Sequence, residues 1–482
     1  MKINRISLPL LLFTILSFLF ITPSIYASEG STLERIKEKG TLTIGLSADY
    51  PPYEFHATVN GKDTVVGADV SMGEKIAKNL GVTLKIEELG FDALLGSLQT
   101  GKVDLVISGM APTPEREKEV AFSNPYLQLD QKIIIRKEDQ EKFKTTSDFS
   151  DSKVGAQKQS TQEALAQKEL TGAKIVSLQK VTDMIMTLQN KKVDAIVLEG
   201  PVAEAYVSQN SELALADVKF KEGDSELAIA LKKEQPELLT AVNKSIKQID
   251  DQDLMPSYKE AAAKLMLVDD ASFFEKYGGN FAKGTFYTIF LALVGVLSGA
   301  VLGTILAFMK LSKTKLIKAF AVVYIEYVRG TPLLVQIFLV YFGTTSLGLD
   351  VNALTAGCIA LALNSAAYVA EIIRAGINAV DKGQLEAARS LGMTEYEGMK
   401  LIVLPQAIKN ILPALANEFV TVIKESSVVS VIGVSDLMFQ AGVVQGASFK
   451  PFLPIVIVSI IYFILTFSLS RLIGVAERRM EN

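Results

Sequence analysis

The sequence of 482 residues predicts two fold classes in series: an exported α/β half with a largely parallel sheet, then an all-α membrane half of five spans. Three observations carry this reading. Apolar residues make up 49% of the chain and mean hydropathy is +0.29, too high for an ordinary soluble protein. Residues 29–270 are rich in Lys, Glu, Asp and Gln, whereas residues 281–475 hold apolar runs of about 20 residues, each long enough to cross a bilayer. From Gly40 onward, strand-like and helix-like segments alternate in βαβ order.

The first 28 residues begin the chain with charges at Lys2 and Arg5, an apolar core from Leu8 to Ile21, then Pro23 and small residues around Ala27. This is the pattern of a secretory signal, with cleavage expected after Ala27 rather than retention as an anchor. Either way the half that follows is exported. The net charge of −4 and the lack of a basic block give no reason to expect nucleic acid. One histidine and one cysteine, Cys358 inside an apolar run, leave nothing from which to build an intrachain disulfide or a His/Cys metal site.

The exported half reads TLTIGLS as strand, DVSMGEKIAKNLG as helix, VTLKIEE as strand, FDALLGSLQTG as helix and VDLVISG as buried strand. Within it, GSLQTGKVD has the glycine and lysine spacing of a phosphate-binding loop. That motif needs a strand before it, a helix after it and a Ser or Thr following the Lys. Here the flanks are reversed and Val103 stands where the hydroxyl belongs, so the segment reads as a helix-to-strand turn. Any ATP-driven work must draw on another subunit. Ligands of such sheets bind at the carboxyl ends of the strands, which here are ADYPPYEF, GFDALL, SGMAPTPER and LEGPVA.

The membrane half has apolar runs near 284–308, 320–343, 353–375, 411–434 and 452–474. Lysine and arginine concentrate in MKLSKTKLIK, in the loop 377–410 and in the C-terminal tail, while GTTSLGLDV carries neither. Positive loops stay in the cytoplasm, which places the soluble half outside and the C-terminus inside. Glu326, Arg329, Asn364, Glu371, Arg374, Lys424 and Glu425 lie within or at the ends of spans. Ionisable groups there are costly, and as a set they suggest a polar translocation path, with ion pairing near span ends as the alternative for any one of them. Gly330 and Pro332 are expected to interrupt the second span.

The runs GLSADYPPYEF, GMAPTPEREKEVAFSNPY and VDAIVLEGPVAEAY resemble the polar amino-acid branch of the bacterial extracellular solute-binding proteins, over nearly all of residues 30–268. The resemblance implies a two-lobed, periplasmic-binding-protein-like clamshell, with lobe crossings near 126–130 and 223–227. It implies that Arg116 holds the ligand's α-carboxylate, assisted by Ser108, Gly109 and their neighbours Met110 and Thr113. It further implies that Glu199 takes the α-ammonium, that Tyr50 and Phe91 wall the side chain, and that Lys158 and Thr161 add contacts from the second lobe. The roles suit the chemistry, since a planar guanidinium makes paired charge-assisted bonds to a carboxylate. Ser47 stands where many relatives have Asp, which turns the expectation from a cationic ligand towards glutamine or a similar polar amino acid, with glutamate next if Lys158 pairs with it.

The loop QLEAARSLGMTEYEGMKLIVLPQAIKNILPAL offers a helix from Gln384 to Leu391, Gly392 as its left-handed end, and a break at Pro405 before span four. It is similar to the EAA motif of ABC importer permeases, here Glu386, Ala387, Ala388, Gly392, Leu404 and Pro405, and RGTPLLVQIFLVYFG and AYVAEIIRAGI resemble the polar amino-acid permeases. Together the resemblances imply a clamshell followed by an all-α five-helix transmembrane permease domain in a plasma-membrane amino-acid importer. They imply a homodimer of this chain served by two copies of a separate ATPase subunit, which binds ATP and Mg while this chain binds no cofactor. A ligand-gated channel or a transmembrane amino-acid sensor is the alternative. The spans all follow the clamshell, however, and no TVGYG-like filter or signalling domain occurs.

Overall fold

The computed structural model describes residues 31–59, 62–266, 273–349 and 351–481; the expected secretory signal lies outside them. The α/β half forms two lobes. In the first, the strands run in the order Thr83–Glu88, Thr41–Leu46, Leu105–Val106, Ala230–Leu231, Ala121–Phe122. The first three are parallel and the last two antiparallel to their neighbours. In the second, the order is Lys174–Leu178, Lys153–Gln157, Ala195–Glu199, Gln131–Arg136, Leu213–Leu215, with antiparallel pairing from Gln131–Arg136 onward. Strands Leu127–Leu129 and Ser225–Leu227 pair antiparallel where the chain passes between the lobes.

The predicted strands and helices up to Gly101 are present in the predicted order. In GSLQTGKVD, helix Leu94–Thr100 ends on Gly101 at φ 78, the left-handed geometry a glycine adopts without steric cost. Lys102 turns away from any phosphate role. Its ammonium bonds the carbonyl oxygen of Val351 in the membrane half and stands 4.6 Å from the centre of the Tyr341 ring.

Among the described residues, four helices are long and apolar enough to cross a membrane: Phe273–Leu311, Ala353–Asn378, Glu395–Ile432 and Leu453–Val475. The count becomes five if the pair Lys315–Gly330 and Leu333–Ser346, bent by 110°, is one span. The bend falls at Thr331-Pro332, where the sequence places an interruption. The expected break at Pro405 is not found. Met399–Val403 forms a π-helical turn that runs directly into helix Leu404–Glu425. A wider turn absorbs the missing proline N–H without ending the helix, so the fourth span starts well before residue 411.

The first membrane helix crosses Ala353–Asn378 on a stripe of Gly295, Gly299 and Gly303. A Cβ on Gly299 would lie 2.7 Å from Cβ of Ser365, and one on Gly303 would lie 2.7 Å from the carbonyl oxygen of Ala366. Small residues spaced by four let helix backbones meet where lipid offers no hydrophobic drive. Because the Ala366 oxygen is backbone and cannot move aside, Gly303→Ala is expected to lower stability by about 1–3 kcal/mol, read as a lower unfolding temperature in detergent; an unchanged temperature would show that the crossing has slack.

Helix Leu437–Ser448 covers the clamshell end of the bundle. It holds the first membrane helix through Asn280 Nδ2 donating to Gln440 Oε1 at 2.9 Å and Tyr277 OH donating to the Ala447 oxygen at 3.0 Å. The same helix seats the clamshell. At the other end of the first membrane helix, Lys313 meets Glu395 at 3.2 Å, beside helix Lys382–Ser390. Asn280 and the helix end at Leu311 are separated by about 46 Å at 1.5 Å per residue.

Candidate ligand cleft and coupling surface

Lobe closure brings the strand ends together. Val181 N donates to Asp49 Oδ2 at 2.9 Å and Tyr206 OH to the Asp49 oxygen at 2.9 Å. Arg116 Nη2 donates to the Gln159 oxygen at 2.9 Å, and Gln179 Nε2 to Asp92 Oδ2 at 3.3 Å. Each bond joins one lobe to the other.

Two cavities lie along this seam and share Phe91 as a common wall. The inner one, about 10 Å³, is bounded by Ser47, Asp49, Tyr50, Glu54, Phe91, Ser108, Gly109, Gln157 and Gln162. That is scarcely room for one water, so an amino acid must enter with the lobes apart. The outer one, about 430 Å³, includes Phe91, Met110, Thr113, Arg116 and Thr161. The predicted residues are thus divided between the two cavities. Glu199, 1% exposed, lies beneath the inner one, with Oε2 3.6 Å from where a Cβ on Gly109 would stand.

Lys158 is not brought to the cleft. Its side chain is exposed and its backbone N–H donates to the Leu178 oxygen at 2.8 Å. The inward position at the end of strand Lys153–Gln157 belongs to Gln157, one residue earlier, and Gln162 adds a second amide. The reading that Ser47 strips this wall of its carboxylate also needs correction. Ser47 Oγ donates to Asp49 Oδ1 at 3.0 Å, and both Asp49 and Glu54 line the cavity.

The electrostatics are acidic. Ser108 Oγ donates to Glu54 Oε1 at 2.7 Å, while Gly109 N at 3.1 Å and Tyr126 OH at 3.0 Å donate to Asp69 Oδ2. Burial pushes the Asp69 carboxyl up to about 6 against those two donors. Burial and the neighbouring Asp69 hold Glu54 well above the usual carboxylate range. Burial pushes Glu199 up to about 8, with the charge of Asp69 adding to it and bonds from Tyr50 and Gln162 opposing it.

A carboxyl held at about 8 in the folded clamshell against 4.5 in the unfolded chain adds stability below pH 4.5, and that contribution is lost as pH rises through 8. Without added amino acid, the unfolding temperature of the clamshell is expected to decline over that window. A temperature flat from pH 4.5 to 8 would contradict it.

In the membrane half, the ionisable residues separate into two groups. Glu326, Arg329, Glu371 and Arg374 line a cavity of about 860 Å³ with Lys310 and Lys318. Glu371 is held by Lys310 and Arg374, with Arg329 at 3.8 Å. Asn364 donates to Glu425 at 3.1 Å, and Glu418, 9% exposed and two turns earlier on the same helix, escaped the sequence reading. Lys424 is exposed.

The coupling segment forms helix Lys382–Ser390, two residues earlier than expected at its start, followed by Gly392 at φ 86 with the Met393 N–H returning to the Ala388 oxygen at 3.1 Å. Ala388 is buried, while Glu386 and Ala387 face outward. Leu391 is 84% and Tyr396 71% exposed beside them.

Comparison with known proteins agrees with both halves. Residues 42–261 match the bacterial extracellular solute-binding proteins, family 3, and residues 299–482 match the binding-protein-dependent transport system inner membrane component. A putative glutamine transport system permease protein GlnP of Rickettsia bellii is 42% identical over 199 residues, 41% of this chain and 91% of that protein. The arginine transport system permease protein ArtQ of Bacillus subtilis is 42% identical over 201 residues, covering 42% and 92%. An amino acid ABC transporter substrate-binding protein, AbpA from Streptococcus pneumoniae bound to L-arginine, is 39% identical and covers 49% of this chain and 100% of its own, with a TM-score of 0.48. A solute-binding domain fused to a binding-protein-dependent permease domain defines the class of subunit. The chain belongs to the amino-acid ABC importers, as a solute-binding domain and permease domain in one polypeptide. The channel and sensor alternatives give way to that assignment.

Proposed function

We propose that this chain captures a polar amino acid outside the cell and passes it inward as a homodimer driven by two separate ATPase subunits that supply ATP and Mg. The observation that carries the reading is that the clamshell docks at one end of the first membrane helix and the exposed helix Lys382–Ser390 lies beside its other end. Glu386, Ala387, Leu391 and Tyr396 offer a mixed polar and apolar surface for another subunit.

The substrate is glutamine or a similar side chain that donates hydrogen bonds. Asp49, Glu54, Gln157 and Gln162 line the cavity and the adjoining Asp69 is buried, so the wall is rich in acceptors. The same acidity favours a basic amino acid such as arginine as a second reading. Glutamate loses its support, since Lys158 stands outside the cleft. Calorimetric titration of the full chain with L-glutamine, L-arginine and L-glutamate tests this, with binding of either of the first two and none of the third expected. Heat from glutamate alone would overturn the assignment.

A further inference from the structure

The turn after helix Leu437–Ser448 places Phe449 inside the clamshell's own apolar core. Phe449 is 5% exposed, and its ring meets Tyr206 at 5.5 Å between centres with planes at 72°. Tyr206, 1% exposed, belongs to the second lobe, in helix Gly200–Gln209, and its hydroxyl crosses the cleft to the Asp49 oxygen of the first lobe at 2.9 Å. Asp49 in turn receives Val181 N from the second lobe at 2.9 Å. A permease residue therefore packs edge-to-face against the side chain that ties the two lobes together.

The rest of the docking helix repeats this division. Gly442 lies against the second lobe, where a Cβ would be 2.7 Å from Lys180 Nζ, and Gly446 lies against the first, with a Cβ 3.6 Å from the Ala48 oxygen. One turn apart on one face, the two glycines admit one lobe each. Opening the clamshell would part Ala48 from Lys180 and carry Tyr206 away from Asp49, so the helix can grip both lobes only when they are shut. The backbone at Phe449 is also strained: φ is 51, a left-handed value that an aromatic residue seldom adopts. Two bonds hold the turn there, Gln445 Nε2 to the Pro451 oxygen at 2.6 Å and Lys450 N to Ser448 Oγ at 3.2 Å.

We propose that Phe449 is a positioning residue through which the permease domain holds the clamshell shut, acting on the Tyr206–Asp49 bond and so raising the chain's affinity for its amino acid. Binding linkage is reciprocal: if the ligand-closed clamshell seats better on the permease, the seat must tighten ligand binding by the same factor. The inference rests on the amino-acid reading of the cleft.

The experiment is calorimetric titration of the full chain, assembled with its ATPase in lipid nanodiscs, with L-glutamine and L-arginine. Asn tolerates left-handed backbone better than Phe, so Phe449→Asn removes the ring while easing the turn, and an unchanged unfolding temperature of the variant shows that the fold is kept. Tyr206→Phe keeps the ring pair and removes only the hydroxyl. Each single variant is expected to weaken ligand binding about ten-fold, and the double variant no more than the weaker single, because both act through one bond. Phe449→Asn with unchanged affinity would overturn the proposal, as would losses that multiply in the double variant. A parent chain that binds neither amino acid would overturn the amino-acid reading and this inference together.

Discussion

Arg116→Ala is expected to weaken amino-acid binding by about 30- to 1000-fold, the loss typical when one partner of a buried, hydrogen-bonded charge pair is removed. The structure gives the reason. The guanidinium donates to the Ala111 oxygen at 2.6 Å and, across the cleft, to the Gln159 oxygen at 2.9 Å, and it stands 5.6 Å from the centre of the Phe91 ring. Burial lowers its pKa and the charge of Glu199 only partly restores it. It forms no salt bridge within 4 Å among the described residues, so it is a half-buried cation held by neutral acceptors, with donors to spare for an α-carboxylate. Arg116→Lys should recover little, because an ammonium cannot reproduce the fork that spans Ala111, Gln159 and a ligand. Calorimetric titration with L-glutamine and L-arginine decides the matter; a dissociation constant within three-fold of the parent would remove Arg116 from the carboxylate role.

Glu386→Lys is the second large effect. Glu386 faces solvent on helix Lys382–Ser390, away from the side that buries Ala388. The substitution costs the isolated chain little, since exposed positions without partners are tolerant. Against an ATPase subunit it places a reversed charge within a docking patch, where a central residue is commonly worth at least about 2 kcal/mol. Uptake into proteoliposomes containing the ATPase should fall by about 30-fold or more while amino-acid binding stays as it was. Uptake at the parent rate would remove this helix from the coupling pathway.

The sequence revealed most where local chemistry and tertiary placement agree. Alternating apolar segments in residues 41–106 translate directly into a parallel sheet, since the inner strands Thr41–Leu46 and Leu105–Val106 are buried, the edge strand Thr83–Glu88 is partly covered, and helix Ala68–Leu80 has one apolar face. Pro332 marks a real bend because no neighbouring turn relieves it, whereas at Pro405 the π-helical turn Met399–Val403 does, and a proline alone does not announce which will happen. The stripe Gly295, Gly299, Gly303 was readable as small residues spaced by four, yet it looked like ordinary apolar sequence. In the cleft, Lys158 was assigned one position past the residue that faces inward. Strand Lys153–Gln157 is buried on both faces after its first residue, so no polar alternation marks the phase. Asp69 and Glu418 were missed for a related reason. Each shares its helix with a second carboxyl, Glu74 and Glu425 respectively, and only the packing of other elements shows which of the two is buried.

The junction between the clamshell and the bundle sets the kinetics of capture. Helix Leu254–Leu265 completes the clamshell and the first membrane helix begins at Phe273. Seven residue steps separate Met266 from Phe273, a covalent reach of about 25 Å at most. A tether that short holds an undocked receptor at an effective concentration in the millimolar range before its own permease. Receptor supply is then fixed at one per permease and cannot be raised by synthesising free receptor. Uptake should follow the rates of clamshell opening and closing, with no diffusional search for a docking partner, and a lengthened tether should slow transport only when it begins to dilute that local concentration.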